Sequence, residues 1–296
     1  MFMLLFAMAC GVVGCGPIAH VFEQQAASMM PEDYASDPLL RPLAKAVDSG
    51  DAAAIAAAVK AGADVNACGK GGYRLLYWAM ARGKVEGFEQ LLKHDAMLED
   101  DYRDSSYLRD RSYNRAVLEK MLENKDQRFL EAALRQGLDP DYTPNEAQKR
   151  SLLFFAVSSH SQPAIETLLA AGANIDWQDC SGYTPMIDAR MGRNFITAWF
   201  LLRNGADPTL KDKLGHDFVW GLKEYGSRGV RPDHRESFEA IVDELVRRGL
   251  LTRQDIIEAD KPKSPNSGIT VIEHSPDSEA GQAILKLDQL EREAGK

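Results

Sequence analysis

A short turn sequence recurs along this chain, twice at the same interval. Gly172-Ala173-Asn174 precedes Gly205-Ala206-Asp207 by the same distance in sequence as Gly62-Ala63-Asp64 precedes Asp95-Ala96-Met97. A fixed period of this length is typical of chains built from stacked supersecondary units, because no single unit can bury its apolar face alone. The interval therefore predicts an elongated array of similar units and argues against a single closed globule.

The residues before each turn predict two helices per unit. In the clearest unit, the hydroxyl of Thr184 can cap a first helix, and Pro185 suits the first helical position, where the backbone has no N–H partner. A leucine-rich second segment follows and ends at Gly205, which can adopt the positive φ that stops a helix. Each unit is thus expected to be a helix–loop–helix.

These motifs resemble the ankyrin repeat, whose signature is a glycine, then Thr-Pro-Leu-His and Ala, then a second helix and Gly-Ala-Asp. Here the corresponding segments are Gly182-Tyr183-Thr184-Pro185-Met186-Ile187 and Gly205-Ala206-Asp207. The same register places further turns at Gly137 and Gly249. The resemblance implies an all-α ankyrin-repeat solenoid of about six units across residues 37–251.

Two intervals between turns are too long, and solenoid insertions fall in loops. The first excess maps to residues 99–115, where tyrosine and arginine alternate with acidic residues; both types are enriched at protein-binding hot spots. A solvated insertion with locally paired charges explains it equally well. The second, residues 225–235, is locally basic and could contact acidic groups or lipid headgroups, or simply be an irregular connector. The candidate partner-binding residues of the first insertion are Tyr102, Arg103, Tyr107, Arg109, Arg111 and Tyr113.

A third candidate surface is the concave face, at the position that the ankyrin family fills with histidine. Aromatic residues there would form an apolar stripe suited to a protein partner, unless they pack between repeats as core. Phe154 is expected in the core, whereas Tyr77 and Trp177 are expected at the surface. The residues at this position are Ala44, Tyr77, Glu119, Phe154, Ile187 and Trp220, with Trp78, Phe155 and Trp177 adjacent; Tyr77, Trp78, Trp177 and Trp220 are the candidate partner-binding residues.

Residues 1–15 form an uncharged apolar run that resembles a bacterial signal peptide with a lipobox, Val12-Val13-Gly14-Cys15. The resemblance implies that the thiol of Cys15 takes a diacylglycerol and that Cys15 becomes the first residue after cleavage. Gly16 follows where an inner-membrane retention signal has aspartate. The implied location is the periplasm, anchored to the inner leaflet of the outer membrane.

This segment departs from the signal-peptide pattern because no lysine or arginine precedes Arg41. Cys10 is a poorer second candidate for acylation, and an uncleaved membrane anchor or a buried apolar strand are alternatives. Residues 16–36 read as a flexible tether. Residues 252–296 read as a linker and tail, in which 279–294 form a short amphipathic helix or remain disordered.

Composition and residue spacing point away from other classes of function. The 44 acidic against 35 basic residues lack the excess of positive charge that a nucleic-acid binder needs. The six histidines and four cysteines form no pair with metal-ligand spacing, and no nucleophile or phosphate-loop motif is complete. We therefore expect no catalytic, metal or cofactor site and no small-molecule substrate.

The combination of lipobox and repeats suggests a non-enzymatic protein-binding lipoprotein. Its layout is similar to that of small ankyrin lipoproteins that bacteria produce as immunity partners of secreted toxic effectors, particularly phospholipases. Three alternatives remain at this point: a periplasmic scaffold or chaperone for another enzyme, a cytoplasmic ankyrin adaptor, and an enzyme whose site is spread over several repeats. Fold alone does not separate them.

Overall fold

The computed structural model describes residues 26–34, 38–69, 73–98, 113–123, 126–144 and 147–261, with the backbone alone for 113–116 and 119. Within these ranges the regular secondary structure is helical, apart from an isolated bridge between Cys68 and Arg74. The helices are α1 Leu40–Ser49, α2 Ala52–Lys60, α3 Leu75–Ala81, α4 Val85–Lys93, α5 Tyr113–Glu123, α6 Arg128–Arg135, α7 Leu152–Ser158, α8 Gln162–Ala170, α9 Pro185–Met191, α10 Phe195–Arg203, α11 Phe218–Tyr225, α12 Arg235–Arg247 and α13 Arg253–Asp260.

Local sequence signals set the ends of these helices. The Thr184 hydroxyl accepts a hydrogen bond of 3.2 Å from the Ile187 N–H, as expected for the N-cap of α9. Asp217 caps α11 in the same way through the Trp220 N–H at 2.6 Å. Gly205, which follows α10, has φ +98°, a backbone conformation that glycine adopts without steric cost.

Helices α1 to α10 pack in five successive pairs, and α11 and α12 follow as a sixth unit, which confirms the predicted all-α solenoid. First helices pack on first helices of neighbouring units, and four of the five successive second-helix pairs pack on each other in the same way. Two edge-to-face ring pairs with centroids 5.1 Å apart join successive second helices, Phe88 with Phe129 and Phe195 with Phe238. Because these four rings are buried, one continuous core runs through the described part of the array.

The segment before the first repeat differs from the flexible tether expected for residues 16–36. Residues 31–34 form a 3₁₀ turn that packs on α1, and the side chains of Ala26 and Met29 are buried. Arg82, which follows α3, donates hydrogen bonds of 3.2 Å to the carbonyl oxygens of Ala27 and Met29. This part of the chain is therefore docked on the first two repeats.

The region after residue 251 also differs from a plain linker, because it continues into α13. The side chains and backbone N–H groups of Thr252 and Asp255 bond reciprocally in a capping box that starts this helix. Helix α13 packs against α11, and Asp260 at its end accepts hydrogen bonds of 2.7 Å from the backbone and hydroxyl of Ser227. It packs on the last described repeat, and residues 279–294 lie outside the described ranges.

Two further findings bear on the sequence predictions. Helix α5 begins at Tyr113, so the last residues of the loop expected over 99–115 are helical. No helix among the described residues combines the length and apolarity needed to span a bilayer.

Candidate functional site

The turns between repeats are held by a ladder of hydrogen bonds between backbone N–H groups and Asp or Asn side chains. Within one turn, Asn174 Oδ1 accepts the Asp176 N–H, and Asp176 Oδ1 in turn accepts an N–H from the next turn. This pattern fixes one exposed row of turns along the array. The bonds between successive turns are Met97 N–H to Asn66 Oδ1 at 2.8 Å, Asn174 N–H to Asp141 Oδ1 at 2.8 Å, and Asp207 N–H to Asp176 Oδ1 at 2.9 Å.

One carboxylate of this ladder lies in a less favourable environment. Burial raises the pKa of Asp176 above its ordinary value, and the nearby charge of Asp207 adds to the effect. The hydrogen bond from the Asp207 backbone acts in the opposite direction without cancelling the rise. An asparagine at position 176 would therefore keep the accepting oxygen without the cost of burying a charge.

Two of the four aromatic candidates on the concave face, Tyr77 and Trp78, are buried, as the alternative of core packing predicts. Tyr77 is only 5% exposed and stacks on Tyr73 with ring centroids 5.9 Å apart, so it does not lie at the surface. Trp78 is fully buried and donates its indole N–H to the Met29 carbonyl at 3.1 Å, so it holds the N-terminal segment instead of offering contact surface. Phe154 lies in the core, as expected.

Of the remaining candidates, Trp177 is half-buried and Trp220 is exposed. The Trp177 indole N–H donates to the Lys149 carbonyl at 2.7 Å, which ties the ring to the preceding turn. This ring is therefore less available than a free surface side chain.

Trp220 belongs to an exposed aromatic cluster on the last repeat, formed with His216 and Tyr225. The His216 and Trp220 rings stack at 3.7 Å between centroids, and Tyr225 meets Trp220 edge-on at 6.2 Å. Tyr225 is 54% exposed and Trp220 36%. Large rings held by one another and open to solvent are suited to contact with another protein. This cluster is the strongest candidate binding surface among the described residues.

A polar network lies on the two repeats that precede this cluster. Arg150 donates to Asp188 at 2.9 Å and to Asp179 at 3.3 Å, and its guanidinium lies 5.2 Å from the Phe154 ring centroid. Asp188 also accepts a hydrogen bond of 3.1 Å from the Ser158 hydroxyl. The charges of this network are paired internally, so it acts as a clamp between repeats four and five.

The basic segment 225–235 is more ordered than an open binding loop. The buried His234 ring lies 2.9 Å from the Arg193 carbonyl oxygen through Nδ1. Arg231 pairs with Asp233 at 2.6 Å, and Arg228 donates to the backbone of Glu224 and Tyr225. Because several of these groups are already engaged, the segment is chiefly a connector between α11 and α12.

The predicted residues of the first insertion lie outside the described ranges, as does the lipid-attachment candidate Cys15. The insertion residues are Tyr102, Arg103, Tyr107, Arg109 and Arg111, together with the side chain of Tyr113. Cys68 and Cys180 are free and exposed. Within the described ranges, no group of three or more His, Cys, Asp or Glu side chains is arranged to hold a metal ion.

Comparison with protein families fits this architecture. Residues 117–212, about a third of the chain, match the family described as ankyrin repeats in three copies. This part of the chain consists of ankyrin repeats. The repeat register and the six helix pairs extend the same architecture to both sides of it.

Curated relatives share only short stretches with this chain. A human Arf-GAP with coiled-coil, ANK repeat and PH domains is 39% identical over 59 residues, 19% of this chain and 7% of that protein. The human SH3 and multiple ankyrin repeat domains protein 2 is 29% identical over 106 residues, 35% of this chain and 6% of that protein. The chain thus spans under a tenth of the length of either relative.

Solved structures with a similar arrangement include two bacterial ones. An ankyrin repeat domain from Acinetobacter baumannii is 22% identical, with 67% of this chain and 97% of that chain covered, at a TM-score of 0.47. A structure of a predatory endopeptidase from Bdellovibrio bacteriovorus with an immunity protein is 20% identical, with coverage of 67% and 97% and a TM-score of 0.43. At these values the likenesses carry no argument about partner or activity.

Proposed function

We propose that this chain is a non-enzymatic, lipid-anchored ankyrin protein of the bacterial periplasm that binds and occludes a secreted toxic effector. Ankyrin repeats are a protein-binding fold, so a protein partner is the natural ligand for such an array. The observation that carries the proposal is the exposed cluster of His216, Trp220 and Tyr225 on the last repeat. A membrane-attacking phospholipase is the effector class that the layout of the chain favours.

The proposed location rests on the lipobox-like sequence ending at Cys15 and on the docking of residues 26–34 on the repeats. Only residues 16–25 separate Cys15 from the buried Ala26. Such a stretch spans at most about 35 Å when fully extended. An acyl chain on Cys15 would therefore hold the first repeat near the bilayer, and the aromatic cluster lies on the last repeat, at the other end of the described array.

Metabolic labelling with palmitate tests the proposed lipid anchor and location. The wild-type chain, produced in a Gram-negative host, should incorporate labelled palmitate and fractionate with the outer membrane. Cys15→Ala should lose the label, whereas Cys10→Ala should keep it. An unlabelled wild-type protein found in the cytoplasm would replace this proposal with the cytoplasmic adaptor.

Affinity capture tests which protein the chain binds, and an inhibition assay tests whether binding blocks the toxicity of that protein. The membrane fraction of the native bacterium should yield a secreted effector whose toxicity or phospholipase activity the purified protein inhibits. Trp220→Ala should weaken capture if the cluster contributes, and Tyr107→Ala and Tyr113→Ala should weaken it if the insertion does. Capture of a housekeeping enzyme whose activity rises on binding would instead identify a scaffold or chaperone.

A further inference from the structure

The fourth residue of the first helix is treated differently in the last two repeats. In repeat five this residue is Asp188, and its carboxylate pairs with Arg150 of the preceding repeat at 2.9 Å. In repeat six it is Gly221, which stands at the same place after the N-cap of its own first helix. Repeat five therefore has a carboxylate at this position, which pairs with an arginine, whereas repeat six has a glycine with no side chain.

An arginine also reaches this second position. The guanidinium of Arg190 on α9 lies against the backbone of Gly221, so close that a Cβ there would be 2.2 Å from the Arg190 Cζ. Gly221 is buried beneath it. In both interfaces a guanidinium thus lies against the fourth residue of a first helix, although Arg150 precedes its own helix and Arg190 lies within α9. Only the first of the two interfaces supplies a carboxylate to the guanidinium.

Among the described residues, no carboxylate pairs with Arg190. Its buried Nε has no hydrogen-bond partner there, and the two acidic side chains that influence it, Asp212 and Asp217, are engaged with backbone N–H groups of their own turn. Burial lowers the pKa of Arg190, although arginine remains cationic. A partly buried cation without a pairing anion is costly, so an added carboxylate would be favoured.

The surroundings of Arg190 indicate what such a carboxylate would be attached to. Tyr225 is one helical turn beyond Gly221 and so lies on the same face of α11, and its ring meets Trp220. A small free anion would leave these exposed rings uncovered, whereas a peptide segment would cover them while its acidic side chain reaches the guanidinium.

We propose that Arg190 is a receptor for an Asp or Glu side chain of the protein partner, presented beside apolar residues that pack on Trp220 and Tyr225. This inference rests on the proposed function, because it presumes a protein partner. It adds the chemistry of the contact. The partner segment is acidic and apolar, and its carboxylate pairs with Arg190 as the Asp188 side chain pairs with Arg150 within the chain.

A peptide probe tests this assignment on the full-length Cys15→Ala chain. The probe is a fluorescein-labelled decapeptide of alternating glutamate and leucine, followed by anisotropy at low salt, with the glutamine–leucine peptide as uncharged control. We expect the acidic peptide to bind at least tenfold more tightly than its control and Arg190→Gln to weaken it about tenfold, the effect of losing one charge-assisted hydrogen bond. Arg203→Gln, the same charge change beside Trp199 on a second helix, should have no effect.

A second pair of variants covers the case in which Arg190→Gln does not fold. Gly221→Asp supplies the missing carboxylate within the chain, and Gly221→Ala introduces the same Cβ without charge. Gly221→Asp should reduce binding of the acidic peptide well beyond Gly221→Ala. The assignment is overturned if the wild-type chain does not bind the acidic peptide, if Arg190→Gln binds it equally, or if the two Gly221 variants behave alike. If the chain captures an effector but does not bind the acidic peptide, the proposed function is supported and only the Arg190–carboxylate contact is contradicted.

Discussion

The indole N–H of Trp78 donates a hydrogen bond of 3.1 Å to the carbonyl oxygen of Met29, across 49 positions of the sequence. Arg82 reaches the same oxygen at 3.2 Å, and its guanidinium lies 5.3 Å from the Trp78 ring centroid. A single backbone carbonyl of the N-terminal segment thus receives two side-chain donors from the second repeat. The segment that would join a lipid anchor to the repeats is therefore held by the second repeat as well as by the first.

Removing the indole donor should loosen this segment. Trp78→Phe deletes one hydrogen bond and leaves a small cavity, so we expect a loss of about 1–2 kcal/mol in the free energy of unfolding. Hydrogen exchange of residues 29–34 should accelerate in the same variant. Arg41→Gln breaks only exposed contacts with Glu32 and should change the free energy by less than about 0.5 kcal/mol. Unchanged exchange in Trp78→Phe would show that the docking does not depend on this bond.

The approach of α4 to α1 depends on a glycine. A Cβ at Gly87 would lie 2.2 Å from the Val47 carbonyl oxygen, which is backbone and cannot swing away. Gly87→Ala should therefore cost about 1–3 kcal/mol by overpacking, despite the better helix propensity of alanine. Gly192→Ala is the matched control, because its nearest neighbour would be 3.5 Å away and its φ is −74°. Urea denaturation measures both, and equal stabilities would contradict the close contact.

Two residues at the same N-cap position should respond oppositely to loss of a hydroxyl. Thr184→Val removes an oxygen that accepts the Ile187 N–H, and we expect a cost of about 1 kcal/mol. Ser151→Ala removes a buried oxygen that has no partner among the described residues, so it should be neutral or stabilising. Thermal unfolding of the two variants separates these outcomes. A loss in Ser151→Ala as large as that in Thr184→Val would mean that the Ser151 hydroxyl is bonded in solution.

The pH dependence of the turn ladder has a definite sign. Because burial raises the pKa of Asp176 in the folded state, its ionisation opposes folding at pH values above that pKa, and the penalty disappears as the pH falls. Asp176→Asn keeps the oxygen that accepts the Asp207 N–H, as Asn66 does for Met97. The variant should therefore unfold at a higher temperature than wild type at pH 7, with the difference shrinking toward pH 3.

Asp141→Asn provides the control for this prediction. Asp141 accepts an N–H from Asn174, which is neutral, whereas Asp176 faces the charge of Asp207. The control should raise the unfolding temperature less at pH 7. A constant gap between wild type and Asp176→Asn from pH 7 to pH 3 would contradict a role for the Asp176 charge.

The repeats could be predicted because their signals are local. Thr184, Pro185 and Gly205 act on backbone within a few residues, and the recurrence of the turn motif then gives the register of the repeats on either side of the two insertions. The same register could have shown that Gly221 stands where Asp188 stands one repeat earlier. It could not have shown that Arg190 lies over that glycine, because the reach of a long side chain depends on how two helices pack.

Exposure was the least predictable property of the candidate site. Tyr77 and Trp220 occupy the same position in their repeats, yet Tyr77 is buried against Tyr73 and Trp220 is open to solvent. In the second repeat, flanking units and the N-terminal segment cover the first helix, whereas helix α13, which packs on the first helix of the last repeat, leaves Trp220 exposed. The burial of a side chain depends on the elements packed around it, and the sequence of a single repeat does not specify those elements.

By itself, the sequence determined the helices, their caps and the order in which the pairs stack, because hydrophobic period and backbone preference are set within each unit. Only the tertiary structure decided which aromatic rings are exposed, that Arg190 has no carboxylate partner among the described residues, and that residues 26–34 pack on the first repeats and α13 on the last. Those outcomes depend on contacts between residues far apart in the chain, whose energies exist only once the repeats have packed.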